Sequence, residues 1–329
     1  MKWGLIGASD IAETRVIPAL LANNQEIMVV QSTKLERATE FAKKNNIAKA
    51  TDSIEQLLSS DIDAVYISST NEKHFDQAMA AIKARKHLLC EKPIAMSLSH
   101  AEQMVTAAKS ANLIFATNHH IRVAGSHQLV RKMIENGELG ELISVRINHA
   151  VALPDRLKGW RITDQSAGGG VVLDIVVHDV DTLRYLIGSN ISEVVGLTNS
   201  FGLGTDQIED SAMVIYKFEN GVLATSHESF VVKHNVTTLD IHGTKASIFM
   251  NNAMTQDPVA EITIRDANGA REVTVSDRED LYIKAIRQFI RAVENGDLPY
   301  ADGEDGYRSV QGALAVLESV SSKKVVKLS

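Results

Sequence analysis

Short apolar strands alternate with helical patterns over the first 120 residues, and this alternation restricts the possible folds more than any other feature of the chain. The predicted strands are residues 2–7, 27–31, 64–68, 87–90 and 113–117, and the predicted helices include residues 10–23, 72–84 and 99–111. Strands that are joined through helices pair in parallel, with helices on both faces of the sheet. The pattern therefore predicts an N-terminal Rossmann domain, a doubly wound parallel sheet, over residues 1–121.

The pattern changes after residue 122, where hairpins replace the alternation. A helical segment at 122–136 precedes predicted strands at 142–151 and 191–198 and predicted hairpins at 211–230, 236–250 and 261–275. The first hairpin turns at Asn220-Gly221, a pair that favours a type I′ turn. Successive hairpins predict a large open, mainly antiparallel sheet, interrupted by helices around His178 and over 281–294 and 303–321. We expect residues 122–329 to form a C-terminal α+β substrate-binding domain, monomeric or homo-oligomeric through its open sheet face.

Composition excludes several classes of function. The 329-residue chain exceeds the usual size of one domain, and its formal net charge of −7 comes without a clustered basic face, which argues against nucleic-acid binding. No apolar run approaches the roughly 20 residues that span a bilayer, and residues 1–7 lack the pattern of a signal peptide. Cys90 is the only cysteine, so no internal disulfide can form. We expect a cytoplasmic protein without a membrane anchor.

A glycine turn follows the first predicted strand. The segment Gly7-Ala8-Ser9-Asp10-Ile11-Ala12 matches the dinucleotide fingerprint G-x-G-x-x-G/A, except that Ser9 replaces the second glycine. Glycine at that position lets the backbone approach a pyrophosphate, whereas a serine hydroxyl can itself bond a phosphate. A bare strand–turn–helix without a ligand is the alternative interpretation. Pro18 lies inside the following helical pattern and predicts that the helix kinks or restarts there.

The tip of the second strand lacks the carboxylate that NAD enzymes place there for the ribose 2′-hydroxyl. Two hydroxyls, Ser32 and Thr33, follow instead, and Arg37 comes shortly after them. A 2′-phosphate would be repelled by an acid and bound by hydroxyls and a guanidinium. We therefore expect NADP(H) rather than NAD(H), held by these three side chains. The alternative is a helix N-cap with ordinary surface cations.

Three further strands end in polar clusters, at residues 68–71, 91–93 and 118–120. Ligands of parallel sheets bind beyond the carboxyl ends of the strands, so these clusters are candidate cofactor contacts. Within them, Lys92 precedes a proline, and a lysine desolvated in a cleft can hydrogen-bond a substrate oxygen or take part in proton transfer. A surface lysine paired to Glu91 is the alternative.

A second candidate site follows Gly168-Gly169-Gly170 in the C-terminal half. Apolar residues recur at helical spacing after these glycines and predict a helix, which places Asp174, His178 and Asp181 at i, i+4 and i+7 on one face. A titratable trio on a mostly buried helix is costly unless it has partners or a role. We interpret it as the catalytic wall of a dehydrogenase pocket; a core histidine beside solvated acids is the alternative.

These elements in combination resemble the Gfo/Idh/MocA oxidoreductase family over essentially the whole chain: the glycine turn, Glu91-Lys92-Pro93, the three glycines, and Asp174 four residues before His178. The resemblance implies NADPH-dependent reduction of a sugar ketone, with Lys92, Asp174 and His178 as the catalytic residues. It also implies this cofactor-binding set: Gly7, Ser9, Ile11, Ser32, Thr33, Arg37, Ser69, Asn71, His74, Glu91, Lys92, Asn118, Trp160 and Arg161. His119, His120 and Asp181 are secondary candidates.

In this interpretation the nicotinamide supplies a hydride, His178 delivers a proton near neutral pH, and Lys92 stabilises the developing negative charge. Other functions stay open. The chain could be an NADP(H)-linked dehydrogenase of another sugar, inositol or ketone, or a non-catalytic NADP-binding regulator of the same fold. Asp174, His178 and His119 or His120 could also supply metal ligands, although the resemblance implies chemistry without a metal and we expect none.

Overall fold

The computed structural model describes residues 1–205 and 208–328, and these residues form two compact units. The first unit is Met1–His119 together with Tyr282–Tyr307, and the second is His120–Leu281 together with Arg308–Ser329. A late segment of the chain thus belongs to the first unit. The division between residues 121 and 122 stays a proposal.

The first unit is built on a parallel sheet of six described strands: β1 Lys2–Ile6, β2 Glu26–Gln31, β3 Lys49–Thr51, β4 Ala64–Ile67, β5 His87–Cys90 and β6 Phe115–Thr117. Their order is β3-β2-β1-β4-β5-β6, and all neighbours are parallel. This is the doubly wound order that the sequence predicts, with the reversal between β1 and β4, where such folds bind ligands. The sequence analysis missed β3, which is only three residues long.

Helices account for most of the remaining regular structure. In chain order they are α1 Ile17–Ala22, α2 Leu35–Lys44, α3 Ile54–Leu58, α4 His74–Lys83, α5 Leu98–Ser110, α6 Gly125–Glu135, α7 Trp160–Thr163, α8 Val177–Ile187, α9 Leu281–Asn295 and α10 Gly303–Ser322. The predicted helix at 122–136 is in fact a 3₁₀ turn, His120–Val123, followed by α6.

Two helices begin as π-helices, in which each turn contains an extra residue. The segment Ala12–Val16 precedes α1, so the predicted helix restarts at Ile17 with Pro18 in its first turn, where a missing N–H costs nothing. Likewise Val172–Val176 is a π-helix that continues into α8. The regular α-helical i, i+4, i+7 face predicted for Asp174, His178 and Asp181 is therefore wrong, because Asp174 lies in a wider turn. Such π segments are frequent at functional sites.

The second unit contains a nine-stranded sheet in its described residues. Its strands are β7 Leu142–Ala150, β8 Ile191–Asn199, β9 Ser211–Phe218, β10 Leu223–Ser229, β11 Thr238–Gly243, β12 Ser247–Asn251, β13 Glu261–Asp266, β14 Gly269–Val273 and β15 Val326–Lys327. The order is β14-β13-β12-β11-β7-β10-β9-β8-β15, and the pairings are antiparallel except for β7 with β10. The predicted mainly antiparallel sheet is confirmed.

The first hairpin differs from its prediction in the type and length of its turn. A type I′ turn needs positive φ at both central residues, but of Asn220 and Gly221 only the glycine has it, at 88°. Four residues, 219–222, separate the two strands, and the Phe218 N–H donates to the Val222 carbonyl at 2.9 Å. The hairpin is present, but its loop is longer than the predicted two-residue turn.

The two faces of this sheet differ. Side chains on β9 alternate between buried and exposed, and the outward set includes Met213 and Ile215, which are 61% and 53% exposed. This outer face contains a concavity of about 610 Å³. On the inner face, α8 lies against β7 through a contact between Asp179 and His149. The predicted open face is present.

Candidate active site

The glycine turn of the first unit requires its first glycine. Gly7 has a φ of 111°, and a Cβ there would lie 2.8 Å from the backbone of Ser68 and Ser69. Only glycine tolerates both that conformation and that closeness. The turn is therefore pressed against the residues that follow β4, which leaves its N–H groups at the carboxyl edge of the sheet. This cradle suits a dinucleotide phosphate.

Ser9 ties the turn to the same strand. Its hydroxyl donates to the Ser68 hydroxyl at 2.8 Å and accepts from the backbone N–H of Ala12 at 3.2 Å. Ile11 comes next, half-buried, at the start of the π-helix. Serine at the second fingerprint position thus has a structural role that glycine could not supply.

The predicted 2′-phosphate residues lie at the end of β2. Ser32 is buried and its N–H donates to the Thr51 carbonyl at 3.1 Å, whereas Thr33 and Arg37 are exposed. The Arg37 guanidinium donates to the Ala8 carbonyl at 2.7 Å. Arg37 therefore reaches from α2 back to the glycine turn, and it brings a positive charge to the region predicted to bind the adenosine ribose.

His74 lies between two backbone carbonyls in the interior of the first unit. Its ring is fully buried, with Nδ1 at 2.8 Å from the Pro93 carbonyl and Nε2 at 3.2 Å from the Ser69 carbonyl. Burial lowers its pKa, which favours the neutral ring. The ring thus holds Ser69 and Pro93 in place, and its membership of the cofactor-binding set stays a proposal. Asn71 is buried beside it, in the 3₁₀ turn Asn71–Lys73.

Glu91 is the centre of a hydrogen-bond network that the sequence analysis missed. Its Oε1 accepts from the Tyr66 hydroxyl and from the Asn118 amide, both at 2.6 Å. The Tyr300 hydroxyl donates to the other side of that amide, Asn118 Oδ1, at 2.9 Å. The network fixes the Glu91 side chain, which directly precedes Lys92. The sequence does not indicate these partners, because Tyr66 lies within an apolar strand and Tyr300 is distant along the chain.

In the second unit, each of the three glycines has a separate requirement. Gly168 and Gly170 have φ values of 93° and 112°, and a Cβ on Gly169 would lie 2.8 Å from the carbonyl oxygens of Trp160 and Asp164. A Cβ on Gly170 would also collide with the carboxylate of Glu209. The glycines therefore let the chain pass close to α7 and to Glu209 before the helix begins.

Glu209 caps the helix that carries the candidate catalytic residues. Its backbone carbonyl accepts from the Val171 N–H at 3.0 Å, and its Oε1 accepts from the Val172 N–H at 3.2 Å. A carboxylate at a helix N-terminus satisfies N–H groups that lack helical partners. Burial raises the pKa of this carboxyl group. No spacing rule in the sequence points to Glu209.

Exposure separates two residues from the others of the stretch 167–183. Between Ala167 and Leu183 every side chain is buried except Asp174 and His178, which are half-buried. Arg161 Nε donates to Asp174 Oδ2 at 3.3 Å, and its guanidinium lies 4.6 Å from the centre of the Trp160 ring. The structure thus brings together Trp160, Arg161 and Asp174, three residues predicted for the site.

His178 has an aromatic neighbour. The His120 ring lies edge-on to it, with 5.3 Å between ring centres. His119, the other histidine of the pair, is buried at the end of the first unit. Asp181, by contrast, forms a buried two-point salt bridge with Arg122, with both N–O distances 2.8 Å. Asp181 therefore neutralises Arg122 inside the unit and is a structural member of the trio.

Two properties of the described residues concern the other classes of function. Among residues 1–205 and 208–328, no group of three or more His, Cys, Asp or Glu side chains is arranged to hold a metal ion. In the same residues, no helix has both the length and the apolar character needed to cross a membrane.

Comparison with known proteins agrees with this arrangement. Residues 1–119 match the family model described as "Oxidoreductase family, NAD-binding Rossmann fold", and residues 127–249 match the GFO/IDH/MocA C-terminal domain. The chain is 43% identical to 1,5-anhydro-D-fructose reductase of Ensifer adhaerens, over 99% of this chain and 98% of that protein. It is 26% identical to myo-inositol 2-dehydrogenase of Thermotoga maritima, over 100% of this chain and 98% of that protein.

A solved structure supports the fold. Aldose-aldose oxidoreductase from Caulobacter crescentus, complexed with glycerol, superposes with a TM-score of 0.89 at 19% identity, covering 100% of this chain and 99% of that one. The fold and the site thus define an oxidoreductase with a dinucleotide-binding Rossmann unit. The chain belongs to the Gfo/Idh/MocA family, as the sequence motifs indicate.

Proposed function

We propose that this protein reduces the ketone of 1,5-anhydro-D-fructose to 1,5-anhydro-D-mannitol with NADPH. The observation that carries the proposal is the partial exposure of Asp174 and His178 among the buried side chains of residues 167–183. The 43% identity to 1,5-anhydro-D-fructose reductase along nearly the whole chain supports this substrate over other sugars.

The first unit supplies residues that suit NADP(H). The turn at Gly7 has room only for a glycine, as a phosphate cradle requires, and the tip of β2 offers hydroxyls and Arg37 instead of a carboxylate. Ser9, Ile11, Ser69, Asn71, Glu91, Lys92 and Asn118 complete the proposed cofactor-binding set of this unit. His74 acts behind that surface by holding Ser69 and Pro93. Trp160 and Arg161 are the proposed contributors of the second unit.

Each proposed catalytic residue has a separate role. A bound nicotinamide supplies the hydride for carbonyl reduction. His178 delivers a proton from its imidazole to the substrate oxygen. The Lys92 ammonium donates a hydrogen bond to that oxygen and stabilises its developing negative charge. Asp174, held by Arg161, accepts a hydrogen bond from a substrate hydroxyl or from His178.

The experiment is to follow NADPH oxidation with 1,5-anhydro-D-fructose and, in parallel, with ordinary ketohexoses. We expect efficient turnover only with the anhydro sugar, and a lower kcat/KM with NADH than with NADPH. The His178→Ala variant should lose turnover by about 10²–10⁴-fold while still binding NADPH, because it removes the proton donor but no cofactor contact. Near-normal turnover in His178→Ala would overturn the catalytic role.

A second candidate is a dehydrogenase of another sugar, inositol or ketone, which the likeness to myo-inositol 2-dehydrogenase favours. It predicts that NADP⁺ or NAD⁺ is reduced with myo-inositol or an aldose, while 1,5-anhydro-D-fructose is not consumed. A non-catalytic NADP-binding regulator would bind NADPH without turnover of any of these compounds. The same substrate panel therefore separates all three functions.

The remaining proposals concern the protein as a whole. We propose a cytoplasmic location, on the basis of the single cysteine, and a division into domains at residues 121 and 122. The open face of the nine-stranded sheet suits either a monomer or a homo-oligomer formed through that face. Light scattering at several protein concentrations separates these two states.

A further inference from the structure

A buried pair of acids lies between α8 and the nine-stranded sheet, directly beside His178 in the sequence. Asp179 on α8 and Glu228 on β10 are both 0% exposed. His149, on the neighbouring strand β7, places its Nδ1 at 2.7 Å from Asp179 Oδ1. None of these three residues has a part in the proposed reaction.

Three of the elements around Glu228 contribute polar groups. β7 brings His149, which is paired in register with Glu228, and α8 brings Asp179. β9 brings Tyr216, whose hydroxyl lies 3.1 Å from that of Ser226 on β10. In the part of the chain that the structure describes, no donor meets either carboxyl oxygen of Glu228 in hydrogen-bond geometry. Glu228 is therefore fully buried at a place where the described residues do not provide the full set of hydrogen bonds that an ionised carboxylate needs.

Two ionised carboxylates in such a place would repel each other at close range and lose their hydration. A single proton on the pair removes both difficulties, because a neutral carboxyl group has an O–H that can donate. Burial, and next the charge of Asp179, raise the pKa of Glu228 well above its ordinary value, although the Ser226 hydroxyl and His149 oppose this. Burial also raises the pKa of Tyr216, which stays neutral.

We propose that Glu228 is a positioning residue of the active site: as a neutral acid it donates a hydrogen bond to Asp179, and the array His149–Asp179–Glu228 fixes the turn of α8 that carries His178. His149 in this array donates its Nδ1 proton to Asp179, so the interior holds one negative charge with two donors around it. The positioning role depends on the proposed catalytic function of His178. The shared proton does not depend on it.

Two variants distinguish the effect of the hydrogen-bond donor at position 228 from the effect of the side-chain volume there. Glu228→Gln keeps an uncharged donor of the same shape, whereas Glu228→Leu keeps an apolar volume but removes the donor. Tyr216→Phe is the matched control, since it alters the same interior without removing a donor to Asp179. The first measurement is thermal unfolding between pH 6 and 9, together with the infrared carbonyl band of a protonated carboxyl group.

The sign of the expected pH effect follows from the raised pKa of Glu228. The folded protein binds a proton that the unfolded chain has released, so stability falls as pH rises toward the folded pKa. We expect the unaltered protein and Tyr216→Phe to show this fall and the protonated-carboxyl band. Glu228→Gln should lack both. Retention of the same fall and band in Glu228→Gln would overturn the shared proton.

The second measurement tests positioning. We expect Glu228→Gln to keep kcat within about threefold. We expect Glu228→Leu to lose on the order of tenfold in kcat with little change in KM, because Asp179 then lacks the donor at position 228 and the helix shifts. The NMR resonances of the His178 ring should move in Glu228→Leu but not in Glu228→Gln. Equal ring resonances in the two variants would overturn the positioning role even if no substrate is turned over, so this failure is distinct from that of the proposed function.

Discussion

Arg161 and Asp174 are joined by a salt bridge of 3.3 Å, and each side chain keeps part of its surface exposed, 24% and 15% respectively. The resemblance to the family implies that the first is a cofactor contact and the second a catalytic residue. The structure makes them one unit, because the three glycines bring α7 beside the π-helical turn that carries Asp174.

This pairing predicts a loss of activity in Arg161→Ala. The substitution leaves the Asp174 carboxylate without its charged donor, and we expect kcat/KM to fall about 10–100-fold, since a hydrogen bond to a charged group is worth roughly 1.5–3 kcal/mol. Steady-state kinetics measure the effect. Lys158→Ala is the control, because its partner Asp155 is 94% exposed and such pairs contribute little. An equal loss in both variants would contradict the specific role of Arg161.

Arg37 carries the prediction of cofactor preference. In Arg37→Ala we expect the ratio of kcat/KM for NADPH to that for NADH to fall on the order of 10–100-fold, because a charge-assisted contact to the 2′-phosphate is lost. Arg37 also donates to the Ala8 carbonyl, so a loss that is equal for the two cofactors would assign it to the turn alone. Lys34→Ala, a nearby exposed lysine, provides the comparison.

Substitutions at Gly170 and Gly137 distinguish the energetic cost of a steric collision from the cost of backbone strain. Both have positive φ, 112° and 73°, but nothing lies within 4 Å of a Cβ on Gly137, while a Cβ on Gly170 meets Glu209. We expect Gly137→Ala to cost about 1 kcal/mol in the free energy of unfolding and Gly170→Ala about 2–3 kcal/mol more, with loss of turnover. Urea unfolding measures both. If Glu209→Ala fails to relieve the cost of Gly170→Ala, the collision is not its cause.

His127 makes stability depend on pH in the acid range. Burial lowers its pKa to about 4, so the folded protein keeps the ring neutral while the unfolded chain takes up a proton below about pH 6.5. Stability should therefore fall as pH decreases from 6.5 toward 4, by on the order of 3 kcal/mol at the lower end. Urea unfolding at several pH values checks this. His127→Gln should flatten the slope, and His234→Gln, at an exposed position, should leave it unchanged.

The sequence is most informative where a local pattern has one meaning. Gly7 after a strand, and three glycines before a helix with Asp174 and His178, predict where the chain must bend and which polar side chains lie among apolar ones. Local patterns do not name distant partners. Asp181 looks like a third catalytic residue until Arg122, 59 positions earlier, is seen to neutralise it.

Other features of the site cannot be predicted from the sequence either, because their partners are also far apart along the chain. Glu209 caps the helix at Val172 from 37 residues away, and Tyr300 reaches Asn118 across 182 residues. The 3.6-residue spacing of apolar residues also does not reveal the π-helical turns. One extra residue changes that spacing by less than the spacing already varies within an ordinary amphipathic helix. What is missed is therefore the surroundings of the site residues.

The return of Tyr282–Tyr307 to the first unit affects how the protein is made. The Trp3 ring lies 5.1 Å from that of Phe289, and the Thr117 N–H donates to the Ala301 carbonyl. A ribosome that has released only the first 119 residues has not yet synthesised either partner, and translation proceeds from the N-terminus. The nucleotide-binding unit consequently cannot be completed before Tyr307 has been synthesised, although its strands emerge first, and the Trp3 ring lacks its Phe289 neighbour for most of translation.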